Sequence, residues 1–416
     1  MAESSNHAIV FGASSLVGWA LVDHLLGPDP DSQSFSKITA IANRPLDFAQ
    51  LYWAKPSDDR ELQLVSGIDL RQSDGLTLAA LLAQKVKNIN TVTHVYYLVF
   101  TAIDDEIEEV ATNRRMFENV IDAHNLLSPN LKFVAFTGGT RGYGIYAPGG
   151  TFTPPLTEDM VHNLPSDYVQ TVVYPAYREL LNEAGKGKNW TWCEVCPDAI
   201  IGFTPNGSQF SLALHWAQYL SLYADNHGIT PDGSVKPGGT VEVPFPGNVA
   251  GANSLFSPVA SKTIARFMIY ASFHPERCGN GQLFNIADSE TPCKYGEIWT
   301  RLAEWFGLVG VAPTGTEEDT KGDLKVGELP PGHSALTPGE YVKKYSDKFA
   351  ARGCLNAVSG GVGVGSRQLD SVGYWLTFDR QMSLTALKKT GFKVDQDPVQ
   401  AWLDAFKMFR VAGLIL

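Results

Sequence analysis

Ala8-Ile-Val-Phe11, followed at once by Gly12-Ala-Ser-Ser-Leu-Val-Gly18, decides how the rest of the chain is read. A short unbroken apolar run is the mark of a strand covered on both faces. The two glycines bracket a tight turn, and Trp19 to Leu26 continues as a helix. The same rhythm recurs downstream. Ile38–Ile41, Leu62–Val65, Thr93–Val99, Lys132–Thr137 and Trp192–Cys196 read as strands, and Leu76–Val86, Glu106–Leu127 and Tyr174–Ala184 as helices between them. Strands alternating with helices predict parallel βαβ units, hence an α/β, doubly wound parallel sheet.

The turn itself carries a chemical expectation. Where a strand passes into a helix, the free N–H groups and positive dipole end of the helix suit a pyrophosphate, and glycines let the backbone approach it. Gly12 then makes the turn, Ser14, Ser15 and Leu16 lie at the pyrophosphate, and Gly18 packs helix on strand. A Rossmann-type fold follows. At the end of the second strand, Ala42-Asn43-Arg44-Pro45 offers a guanidinium where an NAD site has an acid. Asn43 and Arg44 therefore point to the 2′-phosphate of NADP(H). Asp69 and Leu70 follow the third strand, where adenine would lie. Val99 and Thr101 end the fourth, and Thr137 the fifth. Tyr174-Pro-Ala-Tyr-Arg178 opens the helix after the fifth strand; positions i and i+4 share a face, so Arg178 can stand beside Tyr174.

The rhythm breaks after residue 203, and Pro and Gly are frequent from Thr204 to Gly251. A helix over Lys262–Ser272, a strand at Gln282–Ile286 and a helix over Tyr295–Phe306 follow. Residues 309–337 read as a loop, and helical segments run from Pro338 to the end. We expect residues 1–203 to form the NADP(H)-binding domain, with a returning strand near 282–286. Residues 204–416 would be a smaller, mostly helical substrate-binding lobe with the C-terminal helices. Gly360-Gly-Val-Gly-Val-Gly365 superficially suggests a phosphate loop, but neither a strand before it nor a helix after it is legible, so a loop is expected. Asp104-Asp-Glu-Ile-Glu-Glu109 reads as a solvated helix start, where the dipole favours acids.

Composition narrows the partners. The 416 residues carry a formal net charge of -11, against non-specific nucleic-acid binding, which needs a basic surface. No uncharged apolar run approaches the roughly 20 residues of a membrane span, and no secretory leader is legible, so a cytoplasmic protein is expected. The five cysteines suit a reducing compartment. Cys193 and Cys196 lie three apart in one strand and face opposite sides, and the nine histidines lack metal-ligand spacing, so no metal is expected.

Several segments together resemble the progesterone 5β-reductase/iridoid synthase-like (PRISE-like) family of atypical, extended short-chain dehydrogenases, in its fungal branch. They are the turn Gly12–Gly18, Asn43-Arg-Pro, Thr93-His-Val-Tyr-Tyr with Asn113 and Met116, and Phe136-Thr-Gly-Gly139. Asn189-Trp-Thr-Trp192, Pro197-Asp-Ala-Ile-Ile-Gly-Phe-Thr-Pro205 and Phe284-Asn-Ile-Ala-Asp288 continue the match. Trp299 to Gly307, Asp379-x-x-Met-Ser, Gly391-Phe392 and Ala401-Trp-Leu-Asp404 complete it. The resemblance implies NADPH-dependent reduction of an activated C=C bond, with a tyrosine and a lysine stabilising the enolate oxygen. Counting back from Trp192 places that tyrosine at Tyr174. In the lysine's place stands Thr140 or Arg141, within Thr137-Gly-Gly-Thr-Arg-Gly-Tyr143. The usual Arg-Pro after the sixth strand is Cys196-Pro197, and one of the paired arginines after strand two is Asn43. Thr137, Pro197 and Ile200 would border the nicotinamide.

These residues imply a reductase of an enone or ketone of a small apolar secondary metabolite, with Tyr174 as the acid and Arg178 or Arg141 as its cationic partner. With the lysine replaced, two alternatives stand: a redox-neutral cyclase or isomerase on the same fold, and a non-catalytic NADP(H)-sensing regulator. A monomer or homodimer is expected. The pocket is expected from segments 143–172 and 205–260, capped by the C-terminal helices.

Overall fold

The opening strand forms where the sequence places it: β1 (Asn6–Phe11) is buried along its whole length. A computed structural model describes residues 6–72, 74–230, 238–313, 324–357 and 364–416, the last segment by backbone alone over its first three residues. The further strands β2 (Phe35–Ala42), β3 (Glu61–Ser66), β4 (His94–Tyr97), β5 (Phe133–Thr137), β6 (Thr191–Pro197) and β7 (Gln282–Ile286) join β1 in one sheet. Its order is β7-β6-β5-β4-β1-β2-β3, and every pairing is parallel. The order reverses between β1 and β4, which opens a crevice at the carboxyl ends of those strands. The returning strand falls at Gln282–Ile286 as the sequence reads, paired along β6.

Alternation along β1 explains the two faces. Ile9 and Phe11 pack under α2 (Gly75–Lys85), α3 (Glu106–Leu127) and α4 (Val173–Ala184), in an apolar cluster with Leu78, Phe117 and Leu181. Ala8 and Val10 face α1 (Leu16–Leu26), which packs against α6 (Ser261–Phe273) on the opposite side. This second core continues into the C-terminal half. There α5 (Leu212–Asn226), α7 (Tyr295–Trp305) and α10 (Pro398–Val411) bring together Trp216, Trp299 and Trp402, with Trp216 stacked on Trp402 at 5.3 Å.

Four expectations are corrected. The stretch Thr204–Gly251 holds α5, which the sequence reading passed over. The first helix begins at Leu16, three residues before the expected start, because Ser15 caps it. The glycine run 360–365 does lead into a helix, α9 (Val364–Trp375), which follows α8 (Pro338–Tyr345); residues 358–363 lie outside the described residues. The expected loop from 309 also opens with a short strand, Val309–Val311, paired in parallel with Glu242–Pro244. Among the described residues no helix is long and apolar enough to cross a membrane.

Candidate active site

The carboxyl ends of β1, β2, β4, β5 and β6 open onto a cleft of about 1120 Å³. Ser15, Leu16, Arg44, Val99, Thr137, Thr140, Arg141, Tyr174, Pro197 and Ile200 all line it. One wall comes from Asn206–Phe210 and Leu212, another from Lys325–Glu328 and the α9 residues Gln368, Leu369, Val372 and Trp375. Of the C-terminal helices, α9 lines the cleft. The 143–172 segment contributes only Ile145 and Tyr146, and 205–260 only its first residues.

Both glycines of the turn are there for space. Gly12 has φ +82°, and a Cβ on it would stand 2.4 Å from the Leu98 carbonyl oxygen. A Cβ on Gly18 would stand 2.0 Å from the Gly12 carbonyl oxygen, so α1 is seated directly on the turn. Ser15 Oγ accepts from the Gly18 N–H at 3.1 Å as the helix N-cap. A serine hydroxyl can accept at the cap and donate to a phosphate at once. The Ser14 carbonyl is bound by Thr204 Oγ1 at 3.0 Å, which ties the turn to the 204–206 segment.

Other expected dinucleotide residues do structural work. Arg71 and Asn43 hold the Asp69 carboxyl below the usual carboxylate range, the Arg71 hydrogen bonds being the larger cause. Leu70 is buried in the core beneath α2 and α3. The Thr101 N–H and carbonyl are both pinned by buried Asn113 at 2.8 Å, which fixes the segment leaving β4. Asn43, Asp69, Leu70 and Thr101 are not part of the cleft wall, whereas Arg44 is exposed upon it.

Tyr174 sits in the first turn of α4, where Pro175 is tolerated because that turn lacks N–H partners. Its phenol lies over the loop after β5: a Cβ built on Gly139 would stand 3.0 Å from Tyr174 Oη. Burial pushes the phenol well above its ordinary range, and the Arg141 guanidinium pulls it back. Arg141 is thus the cation that acts on Tyr174. It is clamped by Glu109, by Glu106 at 3.2 Å and by the Thr171 carbonyl at 2.5 Å, and lies over the Tyr146 ring.

Arg178 is turned elsewhere. Its Nε donates to Glu194 Oε2 at 2.6 Å, and Glu194 is a fully buried acid in the middle of β6. A buried carboxylate without a cation is costly, so this pair takes the guanidinium away from Tyr174. That corrects one of the two partners expected for the tyrosine. Thr140 Oγ1 donates to Asp198 Oδ1 at 3.0 Å, and Asp198 in turn pairs with buried Arg380.

The sequence reading missed Glu109, Tyr146, Glu194, Asp198 and Arg380. A lone acid inside the apolar strand Trp192-Cys-Glu-Val-Cys196 was a usable signal that a cation must face it. Glu109 is also a correction: it is buried, and only the earlier part of its acidic run is solvated.

A family profile described as a PRISE-like Rossmann-fold domain matches residues 8–416. The chain belongs to the PRISE-like family. The short chain dehydrogenase sirQ of Leptosphaeria maculans is 31% identical over 420 residues, covering 98% of this chain and 97% of that one. The 3-oxo-Delta(4,5)-steroid 5-beta-reductase of Arabidopsis thaliana is 25% identical, covering 97% of this chain and 92% of its own. Among solved structures, the GDP-mannoheptose C4 reductase MlghC of Campylobacter jejuni, with NADP bound, superposes with a TM-score of 0.55. It is 13% identical, covers 97% of this chain and 99% of its own, and so shows the shared fold. This PRISE-like protein is accordingly an enzyme of the short-chain dehydrogenase/reductase class, with the Rossmann-type sheet expected from its first eighteen residues.

Proposed function

We propose that this PRISE-like enzyme is an NADP(H)-dependent reductase of an activated C=C bond or ketone in a small apolar secondary metabolite. The observation that carries this reading is the meeting of Tyr174 and Arg141 in the cleft above the Gly12–Gly18 turn. The relatives support it: several are fungal short-chain dehydrogenases, and one is a steroid enone reductase. The residues present fit a dinucleotide. Both glycines leave space that a Cβ would fill, Ser15 has a hydroxyl hydrogen to donate, and Arg44 offers a guanidinium for a 2′-phosphate. Thr137, Pro197 and Ile200, which line the cleft, would border the ring that reacts.

NADPH, when bound, supplies the hydride that the substrate's β-carbon takes. The chain's part is to manage the oxygen. The Tyr174 phenol, kept protonated by burial, donates to the carbonyl oxygen, and that hydrogen bond strengthens as negative charge develops there. Arg141 stabilises the phenolate left when the proton passes to the enolate. Arginine stays charged and relays no proton, so Tyr174 regains its proton from water. The apolar wall of the α9 residues orients the substrate and keeps solvent from the reacting atoms.

Calorimetric titration with NADPH and NADH, followed by NADPH consumption with a panel of enones, tests this. Binding of NADPH at least about tenfold tighter than NADH is expected, as a guanidinium–phosphate contact would give. Tyr174→Phe should remove about 10²-fold or more of the rate with binding unchanged. No heat with either nucleotide would remove the reading. Product formed without NADPH consumption would replace reduction by redox-neutral isomerisation or cyclisation.

A further inference from the structure

Three buried N–H donors on residues of the cleft lining have no protein acceptor among the described residues: Arg141 Nε, which belongs to the clamp beside Tyr174, and Arg380 Nη1 and Trp375 Nε1. Arg380 is 1% exposed and Trp375 3%, and both side chains line the cleft. Neither can accept a hydrogen bond; both can only donate. Leaving one such donor without an acceptor costs about 1–3 kcal/mol, so two of them on residues of the cleft lining ask for a ligand with acceptor oxygen. Trp216 and Trp402 also have N–H groups without a protein acceptor, but these rings stack on each other inside the lobe and do not line the cleft.

The surroundings set the charge of that ligand. Arg380 Nε faces Asp198 at 3.4 Å, its Nη2 donates to Tyr295 Oη at 2.9 Å, and its plane lies over the Phe256 ring at 5.1 Å. Asp198 already balances the guanidinium, so a second anion would be buried without a counter-charge. A neutral carbonyl oxygen meets both demands. Both donors are tied to the loop under Tyr174. Thr140 holds Asp198, and the Tyr146 ring meets Trp375 edge-on at 5.6 Å.

We propose that the cleft contains a second carbonyl-oxygen subsite formed by Arg380 and Trp375. The substrate is therefore an enone that carries a further neutral oxygen, a ketone, ester or lactone, at its end remote from Tyr174. This rests on the reductase reading for the placement of the first carbonyl. The subsite fixes which end of the molecule enters first, and so which alkene carbon is presented for reaction.

The test uses the full chain saturated with NADP⁺, its tryptophan indoles labelled with ¹⁵N, and two probes: androst-4-ene-3,17-dione and androst-4-en-3-one. They differ only in the second oxygen. The dione should bind at least tenfold more tightly and move the Trp375 indole resonance, assigned by its absence in Trp375→Phe. Trp375→Phe, which keeps the packing and removes the N–H, should bring the two affinities to within twofold or threefold. Arg380→Lys, which keeps the charge facing Asp198, should weaken the dione alone. Equal affinities, an unmoved indole resonance, tighter binding of the 17-carboxylate analogue, or binding of neither steroid each overturn the subsite. NADPH oxidation by the mono-enone under those outcomes would leave the reductase reading standing.

Discussion

Arg141 is a cation held in check. Glu109 sits against it, and Glu106 and the Thr171 carbonyl complete the clamp. The charge that Tyr174 feels is what remains after those anions. Arg141→Gln should raise the Tyr174 phenol further and move the alkaline limb of the pH–rate profile upward. The rate should fall about 10²-fold, as when one stabilising charge or donor is removed from a developing oxyanion. Glu109→Gln should do the reverse: the freed guanidinium lowers the phenol, and the alkaline limb moves down. Both variants break a buried pair and should lower stability by about 3–5 kcal/mol, so thermal melting alone says nothing of catalysis. The opposite displacement of the two limbs does; limbs that stay in place in both variants would make the clamp purely structural. Tyr174 was legible because a count back from Trp192 reaches it. Glu109 was not, because acids at a helix start are ordinarily solvated, and its burial depends on an arginine 32 positions away. The Tyr174–Arg178 pairing failed for a related reason. Helical spacing puts the two residues on one face, but only the neighbouring strand shows that Glu194 claims the guanidinium.

Elements were readable where their two faces differ or where both are covered in a repeating βα pattern. The sheet strands and α3 fall nearly where the apolar runs place them, Glu106–Leu127 to the residue. Helix α5 escaped because almost all of its length is buried, Leu212 to Leu222 without interruption, so it has no polar face to reveal a 3.6-residue period. At α1 the decisive contacts are too short-ranged for periodicity to register. Ser15→Ala removes the side-chain acceptor for the Gly18 N–H and should cost about 1 kcal/mol in urea unfolding, whereas Ser15→Gly should cost only a few tenths. If Ser15 also donates to phosphate, both variants lose NADPH affinity alike, because neither has a hydroxyl. A Ser15→Gly protein with unchanged affinity would leave Ser15 as a cap and nothing more. Gly18→Ala is a harsher change: its Cβ would enter the Gly12 carbonyl oxygen, so the turn must move, and nucleotide binding should be lost in whatever protein still folds.

At the scale of the whole molecule, acid stability is a contest between buried histidines and buried acids. Desolvation pushes His7 down to about 4, and His94 and His124 to about 3. In the unfolded chain each titrates near 6.5. Between pH 6.5 and 4 the unfolded state therefore holds about three protons that the folded state lacks. Their contribution is fully present above 6.5 and is lost as pH falls. Asp288 runs the other way. It accepts from the Ala260 N–H and Thr263 Oγ1, which join the end of β7 to the start of α6, and burial raises its carboxyl to about 6. The folded state then holds one proton that the unfolded state lacks, so Asp288 contributes stability at low pH that is lost as pH rises through 6. From pH 6 to 5 each of the three histidines contributes a fall of about 1.4 kcal/mol per pH unit and Asp288 offsets one of them, while Glu158 and Glu194, whose carboxyls burial also raises, offset part of the remainder. Urea midpoints measured from pH 7 to 5 check this. His94→Gln should make the fall shallower by about one proton's slope, and Asp288→Asn, which removes one opposing group, should make it steeper by about the same. A midpoint that stays level across that range in all three proteins would mean that the histidines are charged in the fold, against their burial beside threonine and serine hydroxyls.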